Sequence, residues 1–250
     1  MNSQLLKMVS PVVPLSKAPF ETPLILKGIK DDTVAEKLEK IGLGIGSEII
    51  RNDDSLELKA VRIRSEKGPV VIGGGMGLKT IVHLDDGRKI PLLEMKPGET
   101  GHIEGIIGGK ALYNTLKQLG ISPNEPIMFE RTLPHMNYYT IIKGIGTTVL
   151  SEGDAAKLLG RVDGQTLQFA LVPSGKEFLV TEILGGQRAQ ERIKSKGIRP
   201  GTILILDNVQ NAEHLRLAKH AQTVITTKDG LHLHLPENYG KALLVAKKFI

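Results

Sequence analysis

Three stretches of this 250-residue chain share one pattern: VAEKLEKIGLGIGSEII (34–50), LYNTLKQLGISPNEPIM (112–128) and AQERIKSKGIRPGTILI (189–205). They register on Gly42, Gly120 and Gly197, which are 78 and 77 residues apart. A period of this length points to an array of like modules, each too small to bury its apolar face alone. Val34, Leu38 and Ile41 fall at i, i+4, i+7, one stripe of a short amphipathic helix, and Leu112, Leu116 and Leu119 repeat it. The anchor glycine then stands where a helix ends in the left-handed conformation, which a Cβ disfavours. Four residues on, Gly46, Asn124 and Gly201 suit a second positive φ, and RPGT carries the signature of a type II turn. Thr33 with Glu36 predicts a capping box at the first helix start. The segments SEIIR, EPIMFE and TILIL that follow read as strands.

The likeness extends to both sides. GHIEGIIGG (101–109) matches FLVTEILGG (178–186), a strand with a double-glycine exit, and LILKGIKDD (24–32) takes that place in the first copy. GLKTIV (77–82), AAKLLGRV (155–162) and GKALLV (240–245) each give a turn and a closing strand. One module therefore reads β–helix–β–β–turn–β. The chain divides into an extended arm at 1–19, expected to lie on a neighbouring surface, and modules at 20–92, 93–171 and 172–250. The glycine-rich VIGGGMGLKT (71–80) falls at the closing turn of the first module. It departs from a phosphate-binding loop, because Leu78 separates Gly77 from Lys79 and strand signals follow in place of a long helix.

A strand ending in Gly-Gly, a short helix, GISP or GIRPG, a strand, and a last turn before AAKLLGRV together resemble the FeoA family. The same module resembles the C-terminal domain of iron-dependent repressors. The resemblance covers nearly all of the chain after residue 20 and is clearest in the third copy. It implies a mainly β chain of three tandem small Src-homology-3-like β-barrels, each with a short α-helix. It further implies a non-enzymatic accessory that acts by protein contact in ferrous iron or metal handling. The expected partner is a membrane iron-transporter GTPase or a metalloprotein complex. Three copies in one chain, where the family has one, point to an adaptor or scaffold, with a metal-binding or metal-responsive regulatory protein as the alternative.

The chain has no cysteine, so disulfides and thiolate metal sites are excluded, and a bacterial or archaeal cytoplasm is the expected compartment. No apolar run approaches the roughly 18 residues that span a bilayer. A metal such as Fe2+ would have to use imidazole and carboxylate. His232 and His234 share one strand face in LHLHL, with His214 and His220 near in sequence and Asp229 or Glu237 to complete a site. The same alternation also reads as a polar strand face over a leucine core. His83, His102 and His135 are isolated in sequence and read as surface or loop residues. Residues 172–250 carry 12 − 7 = +5 of charge, and Arg188, Arg192 and Lys196 lie at i, i+4, i+8 of the third helix. They offer a face for an acidic protein or, as an alternative, a nucleic acid. The segment LPHMNYYT (133–140) reads as a loop whose Met136, Tyr138 and Tyr139 suit an interface. No activated nucleophile or acid–base pair appears, so no enzyme is expected.

Overall fold

A computed structural model describes residues 10–53, 58–212 and 222–248. In chain order the strands and helices are β1 (Val13–Pro14), β2 (Pro23–Ile29), α1 (Asp32–Glu39), β3 (Glu48–Asn52), β4 (Val61–Ser65), β5 (Gly68–Ile72), α2 (Gly74–Gly77), β6 (Thr80–Leu84) and β7 (Lys89–Pro91). There follow β8 (Thr100–Ile106), α3 (Lys110–Gln118), β9 (Pro126–Thr132), β10 (Met136–Ile142), β11 (Gly146–Ser151), α4 (Glu152–Ala155), β12 (Leu158–Val162) and β13 (Gln165–Gln168). The last are β14 (Glu177–Ile183), α5 (Gln187–Lys194), β15 (Ile203–Asn211), β16 (Gln222–Thr227), β17 (His232–Pro236), α6 (Glu237–Ala242) and β18 (Leu243–Lys247). One-turn 3-10 helices stand at Leu15–Lys17, Leu92–Glu94 and Phe169–Leu171.

The strands form three six-stranded antiparallel sheets. The first has the order β1-β18-β2-β3-β16-β17, the second β5-β4-β9-β8-β6-β7 and the third β11-β10-β15-β14-β12-β13. The second sheet uses the continuous stretch β4 to β9, and the third uses β10 to β15. Numbered within each sheet, their strand orders are identical. The first sheet has the same order only if it is read from β16 through β18 and then from β1 to β3. The first sheet thus combines the first three and the last three strands of the described residues. A pairing irregularity recurs at one place in all three, between Ile81/Val82, Leu159/Gly160 and Leu244/Val245.

Three expectations change. The boundaries 92/93 and 171/172 fall between strands of one sheet, because each sheet joins the end of one sequence copy to the start of the next. The described part of residues 1–19 is no arm on a neighbour: Val13 and Pro14 pair with Val245 and Leu244, and Leu15 is fully buried. The sheets also stay open, where closed barrels were expected. Their short outermost strands β1 and β7 end in Pro14 and Pro91, which cannot donate to a further ladder.

By contact, the described residues fall into two compact units, 10–53 with 222–248, and 58–212. In the first unit α1 buries Val34 and Leu38, and its N-cap is Asp31, which accepts from the Val34 amide at 3.0 Å, rather than Thr33. Gly42 and Gly46 there have φ of 89° and 93°. In the second unit α3 and α5 bury Leu116 and Ile193 at the position of Leu38. Gly120, Asn124, Gly197 and Gly201 all have positive φ, at 76°, 67°, 84° and 91°.

The second unit holds two sheets, each with an aliphatic core around buried phenylalanines: Phe129 in the second, Phe169 and Phe178 in the third. A small cluster of Ala60, Val71 and Ala156 joins them. At its edge the buried Gln168 side chain acts as a substitute strand. Its Nε2 donates to the Val71 and Ala156 carbonyls at 2.8 and 2.6 Å, and its Oε1 accepts from the Val71 amide at 2.8 Å. The open edge of β5 is thereby satisfied by a neighbour's side chain.

Candidate functional site

The segment 133–140 is largely strand β10, and the pleat decides what each side chain does. Tyr138, Thr140 and Ile142 point into the third sheet's core, so Tyr138 is a core residue and offers no contact surface. Burial pushes its hydroxyl pKa up. Met136 packs against the same core, whereas Tyr139 alternates to the outer face. On that face Tyr139 pairs with Val149, Ile141 with Ile205, and Leu179 with Ile203. Ile141, Val149 and Leu179 are 37%, 39% and 41% exposed. An apolar stripe therefore crosses β11, β10, β15 and β14. The second sheet carries charge at the corresponding face, where Glu130 bridges Arg62 at 2.6 Å and Arg64 at 2.7 Å.

The predicted basic helix face is partly consumed within the protein. Arg192 grips the buried Asp154 through Nε at 3.1 Å and its terminal nitrogen at 2.5 Å, which raises its pKa. Lys196 lies beyond the end of α5 and donates to the Val149 carbonyl at 2.9 Å. Arg188 stays exposed, at a cleft of about 740 Å³ that also includes Gly74, Gly153, Lys157 and Gly186. Lys157 is half-buried and donates to the Gly153 carbonyl at 2.6 Å; desolvation pulls its pKa down. The glycine-rich stretch 71–80 borders this cleft as a single helical turn followed by β6. A Cβ on Gly74 would fall 2.8 Å from the Lys59 carbonyl oxygen, so that glycine serves close backbone packing.

Among the histidines, His232 and His234 lie on β17 with ring centroids 5.1 Å apart. His234 is buried, contrary to an exposed polar face. Asp229 is exposed in the preceding turn, and Glu237 is engaged by Lys241 at 2.5 Å. His214 and His220 lie outside the described residues. His135 binds the buried Glu152 at 2.7 Å. His83 and His102, distant in sequence, are direct cross-strand partners on β6 and β8. With Glu104 they form a group whose ligand atoms all lie within 4.8 Å of one another. Sequence reasoning missed this group, because the 19-residue separation conceals a pairing that only the strand register reveals.

Residues 90–162 match the FeoA domain family, a small β domain associated with iron transport. No curated protein and no solved structure matches the chain. The matched stretch runs from β7 to β12, so its strands divide between the second and third sheets. No helix among the described residues is long and apolar enough to cross a membrane.

Proposed function

We propose that this protein is a non-enzymatic adaptor in ferrous iron handling that docks a protein partner, with an iron transporter as the leading class. The observation that supports this most is the FeoA match at 90–162 together with the surface its strands present. Two of the four strands under the apolar stripe, β10 and β11, belong to the matched stretch. Apolar side chains lined up across four strands, on a face whose counterpart in the second sheet is charged, suit a desolvated protein interface. Of Met136, Tyr138 and Tyr139, the residues expected at an interface in segment 133–140, Tyr139 lies on this face. Arg188 adds an exposed cation elsewhere on the same unit.

The reading is tested in the native host under iron limitation. Deletion of the gene is expected to lower whole-cell iron, measured by mass spectrometry, and the wild-type gene to restore it. An I141D/V149D variant, which alters only the outer face, is expected to fold and to fail in restoration. Unchanged iron on deletion, or full rescue by a stably expressed I141D/V149D, contradicts the proposal.

A further inference from the structure

We propose that His83, His102 and Glu104 bind one divalent first-row transition ion on the outer face of the second sheet. His83 Nδ1 and His102 Nε2 stand 3.5 and 3.7 Å from the same carboxylate oxygen, Glu104 Oε2. Two donors about 2.1 Å from a tetrahedral ion lie about 3.4 Å apart, so both edges are close to a ligated geometry. The rings are already side by side, with centroids 5.0 Å apart. Lys89 occupies the other oxygen, Oε1, at 2.5 Å, which turns Oε2 toward the imidazoles. The side chains of His83, His102 and Glu104 are 33%, 41% and 18% exposed. An ion can therefore enter from solvent, and three protein ligands leave its remaining positions open to water or to another carrier. Two imidazoles and a carboxylate suit Fe2+, Zn2+ or Co2+.

The repeat supplies an internal control. The His83–His102 pair corresponds in register to Arg161–Leu179 in the third sheet and to Ala246–Ile25 in the first. Glu104 corresponds to Thr181 and Lys27. The scaffold thus folds twice without these residues, and their convergence in the second sheet serves no need common to the fold. This inference does not depend on the adaptor reading: it concerns metal binding by the purified chain alone.

The test is a Co2+ titration of the full, untagged protein followed by its visible absorption, repeated with Zn2+ by calorimetry. Wild type and H232A/H234A are expected to share one tight equivalent that H83N/H102N lacks. E104Q should bind at least about tenfold more weakly. In wild type, paramagnetic Co2+ should broaden the ring signals of His83 and His102 before those of the other five histidines (7 − 2 = 5); this readout needs no variant to fold. Equal titrations of wild type and folded H83N/H102N, broadening that begins at other histidines, or no binding by wild type at millimolar Co2+ would overturn the proposal.

Discussion

Replacing Gln168 by leucine should be among the most damaging single changes in the second unit. The side chain is 2% exposed and makes three hydrogen bonds, all to buried backbone of Val71 and Ala156. Leucine fills similar volume but leaves the Val71 amide, the Val71 carbonyl and the Ala156 carbonyl without these partners. Each orphaned buried group costs about 1–3 kcal/mol, and some relaxation is expected, so the loss should total about 3–6 kcal/mol. At about 2–4 °C per kcal/mol for a unit of this size, the melting point should fall by about 6–24 °C. Calorimetry and urea unfolding of the full chain, followed by circular dichroism, measure this directly. A Q168L protein within about 1 kcal/mol of wild type would refute the idea that this amide replaces a missing strand at the β5 edge.

Two further outcomes follow from the same geometry. A fragment of residues 58–212 retains every strand of two sheets and should give a dispersed amide NMR spectrum, whereas 93–171 separates β8 and β9 from β4 to β7 and should give a collapsed one. Burial lowers the Lys157 pKa, so the unfolded chain binds more protons than the native one between that lowered value and the ordinary lysine value. Stability should therefore rise with pH across that window, up to about pH 10.5, and K157M should flatten the rise in urea midpoints.

The local elements were readable because their causes are local. The stripe of Val34 and Leu38 makes a helix, and Gly42, Gly120 and Gly197 end theirs at positive φ as the anchor pattern requires. Strand partnership was not readable. A sequence pattern that recurs three times offers three near-equivalent strands for each pairing, and it carries the period without the phase. The split between the copies and the sheets follows from this. Pro134 and His135 suggest a loop around Tyr138, although the alternation Tyr138, Thr140, Ile142 carries a strand's signal. The members of the apolar stripe come from β11, β10, β15 and β14, so no single segment of sequence shows it. Gln168 stands out only when compared with Pro14 and Pro91, which precede the other two 3-10 helices.

The last strands of the chain complete the sheet begun by its first. Ile50 on β3 and Thr226 on β16 are direct partners, and antiparallel partners lie about 4.5–5.5 Å apart at Cα, within disulfide reach. The chain contains no cysteine, so an I50C/T226C protein has a single thiol pair. Oxidation should give one intramolecular cross-link in the folded monomer, seen as faster migration on a non-reducing gel. Closing so long a loop should add about 5 kcal/mol of stability that reduction removes. A pair that stays reduced in the folded protein, or that forms only disulfide-linked dimers, would contradict the account.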